Sequence, residues 1–122
     1  MFVSDKALEL VPRYRAFLEK HVLPLEQGAI YGSFRAHLPA LQALRAKAKE
    51  AGLFAPHLPV SHGGLGLSLV DFASISEVLG TSPLGHYVFN CNAPDIGNME
   101  LMHQFASPYL QEKYLRPLER GE

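Results

Sequence analysis

Apolar residues recur along this chain at intervals of three and four, the spacing that lines one face of a helix. Leu10, Tyr14, Phe17, Leu18 and Val22 form the first such stripe, and Ser4 supplies an N-cap for a helix reaching about His21. Pro12 lies inside the pattern and predicts either a kink or a helix that begins near it. Pro24 is expected to close the segment. Residues 26–38 show no clear period and read as a loop. A second helix is predicted from Pro39, at its first position, to Gly52 at C′. Ala40, Leu41, Ala43, Leu44, Ala46, Ala48 and Ala51 fill it, with Arg45, Lys47, Lys49 and Glu50 expected to face water. Leu53 to Leu67 then holds two prolines and several glycines and excludes a regular element.

Ser68 and Asp71 resemble a capping box with Asp in place of Glu, opening a helix that runs to Leu79 with Gly80 at C′. Leu69, Phe72, Ala73, Ile75, Ser76 and Leu79 mark its apolar face. Glu77 on that helix either faces solvent or meets a buried partner. Ser82-Pro83 is expected to start a short helix through about Phe89. Asp95 is expected to start and cap another, with Ile96, Met99, Met102 and Phe105 aligned as core. Ser107-Pro108 starts the last, with Leu110, Tyr114, Leu115 and Leu118 inward. No segment alternates with period two. The fold class is therefore all-α, a bundle of about six helices in a single domain spanning residues 1–122.

A chain of 122 residues buries a real core without staples. Its 48% apolar content is that of a globular protein. A net charge of −1 removes the electrostatic case for nucleic acid. No run is apolar over the roughly 18 residues that a membrane span needs, and the charged N-terminus does not resemble a signal peptide. One cysteine, Cys91, excludes an internal disulfide and suits a reducing compartment, so a cytoplasmic location is expected.

Candidate chemistry is sparse. His57 and His62 lie five apart in a loop without enough nearby ligands for zinc, so no metal site is expected. His86 and His103 stand alone in sequence. Nothing local fixes Cys91 beside a histidine as a nucleophile pair. Gly63, Gly64 and Gly66 lack the strand and the Lys-Ser/Thr pair of a phosphate loop, so they read as a tight turn. The segment Asn90 to Glu100 is the exception. Asn, Pro, Asp and Gly redirect the backbone there between two helices, which suits contact with a ligand. The simpler alternative is a well-capped connector.

Ala51-Gly52-Leu53, Pro59, Gly63-Gly64-Leu65-Gly66-Leu67-Ser68 and Glu77-Val78-Leu79-Gly80 follow, in order and spacing, a pattern similar to the N-terminal helical domain of acyl-CoA dehydrogenases. Phe89-Asn90-Cys91 with Ala93-Pro94-Asp95-Ile96-Gly97-Asn98-Met99-Glu100 resembles the branch of that family sometimes fused to a phosphotransferase-like domain. Gln111 to Glu122 is similar to the family's last helix before its middle domain. Val60, Ser61 and His62 stand where the family usually has an acidic residue.

The resemblance implies an N-terminal domain of an FAD-dependent oxidoreductase of fatty acid metabolism, with the flavin-binding β-domain and the C-terminal helical domain that carries the catalytic base absent. No catalytic or cofactor-binding residue is then expected in this chain. Alone it should hold no flavin, FAD belonging to the complete enzyme. Asn92, Ala93, Pro94 and Asp95 correspond to the loop lining the far end of the acyl pocket. The implied partners are the missing domains, or a subunit carrying them, and an acyl-CoA substrate. An apolar face near Phe89, Met99, Met102 and Phe105 would drive self-association. A freestanding helical interaction module that has lost the chemistry is the other reading.

Overall fold

The computed structural model describes residues 2–122 and contains helices and loops, with no strand among the described residues. Helix α1 spans Asp5–Phe17 and continues as one rod through a wide π turn (Leu18–Val22), a helical turn (Leu23–Gln27) and a second π turn (Gly28–Gly32). Helix α2 is Phe34–Glu50, α3 is Leu69–Leu79, α4 is Gly85–Val88 and α5 is Asp95–Phe105. Helix α6 begins at Pro108–Leu110 and continues through a π turn (Gln111–Leu115) into Arg116–Glu119. The bundle of about six helices read from periodicity is the observed architecture.

Two boundaries differ from expectation. Residues 26–38 are helical over most of their length, and Pro39 lies inside α2. Ser33 is the true N-cap, accepting from the Ala36 amide. Pro39 and Arg35 are both exposed, so the carbonyl that loses its donor to the ring still faces water. Pro24 likewise does not close α1. The Leu23 amide reaches back five residues to Leu18, and Pro24 follows at once. The same arrangement recurs in α6, where the Arg116 amide bonds Gln111 just before Pro117. In both places the widened turn removes the clash a proline ring makes with the carbonyl four residues back. Pro12 falls within α1, which starts where Ser4 predicted.

The core is centred on three rings. Phe89 meets Tyr14 edge-on at 4.9 Å and Phe17 at 5.1 Å. All three rings are buried, and the Tyr14 hydroxyl donates to the Leu53 carbonyl at 2.7 Å, so its polar end is satisfied. Helix α1 packs along α3, α2 against α4, and α5 against α6.

Arg45 was expected in water and is instead buried. It lies over the rings of Tyr87 and Phe54, and its Nη2 donates to Asn90 Oδ1 at 2.6 Å. Ring stacking and this hydrogen bond accommodate the guanidinium in the interior. Lys47, Lys49 and Glu50 are exposed, as predicted, and Glu77 faces solvent. The Ser68–Asp71 box forms only by half. Ser68 Oγ accepts from the Asp71 amide, but the Asp71 carboxylate turns away to Ser4, accepting from its amide and its hydroxyl at 2.8 Å each. Asp71 thereby ties the start of α3 to the start of α1.

Gly52 adopts the left-handed conformation expected past α2 (φ 68°), whereas Gly80 is a right-handed C-cap. The Ser82-Pro83 stretch is a turn, and α4 starts at Gly85. Several stripe residues face out. Leu69 and Ala73 are exposed on α3, where Val78 is buried instead. Met99 alone is buried on α5, and Phe105 is 76% exposed. Leu115 is buried in α6 while Leu110 and Tyr114 are exposed.

Candidate functional site

Residues Asn90 to Asp95 connect α4 to α5. Asn90 takes a positive φ of 58°, which Asn tolerates better than most residues. Its side chain fixes the turn: Oδ1 accepts from Arg45, and Nδ2 donates to the carbonyls of Leu118 and Glu119 at 3.0 and 3.1 Å. A cis peptide joins Ala93 to Pro94. Pro94, not Asp95, occupies the N-cap of α5, and no side chain caps that helix end. Asp95 is the first helical residue, where its negative charge favours the positive end of the helix dipole. Its carboxylate accepts instead from Asn92 Nδ2 at 3.3 Å.

These residues border two hollows. Asn92 and Ala93 line a groove of about 410 Å³ together with Phe72, Ser76, His86, Cys91 and Ile96. Asp95 lines a separate hollow of about 530 Å³ with Leu101, Met102, Tyr114 and Leu118. Pro94 lines neither. Of the four residues expected at the pocket, the structure therefore brings Asn92 and Ala93 into one groove.

The groove's lining combines apolar Phe72, Ala93 and Ile96 with polar Ser76, His86 and Asn92. His86 does not stand alone: its Nε2 lies 2.8 Å from Ser76 Oγ. Burial lowers the His86 pKa, so it is neutral at pH 7. Cys91 is buried, its thiol donates to the His86 carbonyl at 3.6 Å, and burial pushes its pKa up to about 12. A thiol so protonated is not a nucleophile at neutral pH. The Asn92 Oδ1 is shielded and has no donor within reach.

The glycine loop is closed to phosphate. The Gly63, Gly64 and Gly66 amides donate to the carbonyls of Val60, Pro59 and Leu58. A Cβ on Gly64 would collide with the backbone of Leu58, and Gly63 and Gly66 take left-handed φ of 84° and 62°. Close packing and turn geometry account for all three, so these residues do not fit the phosphates of a flavin dinucleotide.

A second convergence was not legible in the sequence. His62, His103 and Glu119, from a loop and two helices, meet at one point beside Arg116. Their separations of 41 and 16 positions follow no local spacing. Burial works against the Glu119 charge, but hydrogen bonds from Arg116 and His62 outweigh it and hold the carboxyl below the usual glutamate range. His57, nearby, is desolvated to a pKa of about 4 and is neutral.

The described residues thus form an all-helical domain with a groove at its α4–α5 connector. Residues 4–122 match the family described as "Acyl-CoA dehydrogenase, N-terminal domain", and the chain belongs to it. Acyl-CoA dehydrogenase family member 11 of Rattus norvegicus is 35% identical over 98% of the chain, and family member 10 of Mus musculus is 34% identical over 98%. A solved structure from Mycobacterium abscessus, assigned as an acyl-CoA dehydrogenase, superposes with a TM-score of 0.88 at 36% identity over 99% of the chain. The chain spans only 16% and 12% of those two relatives and 33% of the solved structure. It is thus similar to one domain of much longer proteins. No helix among the described residues is long and apolar enough to cross a membrane.

Proposed function

We propose that this domain walls the acyl-chain pocket of an FAD-dependent acyl-CoA dehydrogenase and holds no catalytic group of its own. The observation that carries the proposal is the groove on Asn92 and Ala93 in a domain of this family. Phe72, Ala93 and Ile96 suit a chain of methylene groups, and the small Ala93 sets the depth. Asn92 and the Ser76–His86 pair place polar atoms at the edge, where a substituted acyl chain finds partners. Flavin and thioester chemistry belong to other domains, or to a subunit carrying them, in a cytoplasmic enzyme of fatty acid metabolism.

Those parts would cover the exposed apolar side chains of α5 and α6: Leu101, Phe105, Tyr109 and Tyr114. This face differs from the one expected, since Phe89 and Met99 are fully buried. An acyl-CoA carrying a photoreactive group at the far end of its chain tests the reading. In a complete enzyme with this domain, labelling is expected on residues 92–96 or Phe72. Labelling confined to other segments contradicts it.

A further inference from the structure

We propose that His62, His103 and Glu119 form a divalent transition-metal site, with Zn²⁺ as the ion it takes. One ligand atom from each residue lies within 4.8 Å of the other two. His62 Nδ1 is 3.1 Å from Glu119 Oε1, and the two imidazole rings stand edge to face at 4.5 Å. Glu119 is buried, so its charge needs a cation close by. His103 Nε2 sits 2.5 Å from Glu119 Oε1, so both imidazoles converge on the same carboxylate oxygen. Two imidazoles and one carboxylate are a zinc ligand set that leaves a coordination position for water. His62 and Glu119 also line a pocket of about 260 Å³, which leaves room for that water and an entry path.

Arg116 already marks the place of a cation. Its Nη1 lies 2.5 Å from His62 Nδ1 and 2.9 Å from Glu119 Oε2. Nδ1 carries either a proton for Glu119 or a lone pair for the guanidinium, which only donates, and the lone-pair form is the one that binds a metal. Zn²⁺ would take that lone pair and Glu119 Oε1. Arg116 keeps partners on its own helix, with Gln111 Oε1 at 3.4 Å and Glu112 Oε1 at 3.5 Å. The ion would pin the loop at Val60–His62 to α5 and α6.

Calorimetric titration of the 122-residue chain with Zn²⁺ in a non-chelating buffer tests the site. One equivalent is expected to bind, and Mg²⁺, which prefers oxygen ligands, is expected to give no saturable heat. His103→Ala should weaken Zn²⁺ binding at least about tenfold, since loss of mere supporting contacts already costs that much at metal sites. Arg116→Met should bind as tightly as the parent or more so, because a competing positive charge is gone. Co²⁺ added to the unaltered chain should give the visible absorption of a low-coordinate nitrogen–oxygen site, abolished by one equivalent of Zn²⁺. Absence of saturable binding at one equivalent, or an unchanged affinity in His103→Ala, overturns the proposal.

Discussion

Asn90 holds more of this molecule together than its size suggests. It bonds a buried arginine and two carbonyls at the end of α6 while sitting at positive φ. Asn90→Ala leaves a buried charge and two acceptors short of partners, and should cost about 3 kcal/mol. Urea unfolding of the pair of proteins measures this directly. Asp71 makes a pH-dependent contribution. The Ser4 amide and hydroxyl hold its carboxyl below the usual aspartate value. The unfolded chain therefore takes up the proton first, and stability rises with pH across this range. The contribution is complete above the unfolded pKa of about 3.9 and is lost as pH falls through the lower folded value. Asp71→Asn should lower the unfolding midpoint at neutral pH, and the gap should close below about pH 4. A gap independent of pH would rule out the clasp. Neither role was visible in local pattern: Arg45 sits among solvated charges in sequence, and Ser4 lies 67 positions from Asp71.

At the scale of elements, two glycines should respond in opposite directions. Gly64 packs against the Leu58 backbone, which has no soft side chain to yield. Gly64→Ala should destabilise by about 3 kcal/mol. Gly97 lies inside α5 with nothing near its missing Cβ, so Gly97→Ala should stabilise by about 0.5–1 kcal/mol. Thermal unfolding followed by far-ultraviolet dichroism measures both. The glycines of the turn, the caps at Ser4, Ser68 and Ser107, and the αL residue Gly52 were legible because each answers a local backbone demand. The helical path of residues 26–38 was not. A proline reads as a stop, and only the π turn before Pro24 lets the rod continue. Asp95 shows the limit from the other side: a good capping residue stood one position too late, because Pro94 took the N-cap.

At the scale of the whole molecule, Leu101, Phe105, Tyr109 and Tyr114 on α5 and α6 are among the exposed apolar side chains. Such patches promote association. Sedimentation of the isolated chain should show dimers or larger species at high concentration, and Phe105→Asp should return it to monomer. A parent that is monomeric throughout would count against a docking role for that face. The same isolated chain is expected to be colourless, since its glycine amides are already bonded internally. The sequence marked the Asn90–Asp95 connector but not the two hollows it borders, because their other walls come from residues distant in sequence, such as Phe72 and Ser76 in one and Tyr114 and Leu118 in the other. In the proposed function, Ala93 sets the depth of an acyl pocket. The most direct measurement is the kcat/KM profile of Ala93→Phe against acyl-CoA substrates of graded length, in a complete enzyme carrying this domain. Long chains are expected to lose at least about tenfold, or about 1.4 kcal/mol of transition-state stabilisation, while short chains keep their rate. A profile unchanged in shape would contradict it and leave the connector only a turn between two helices.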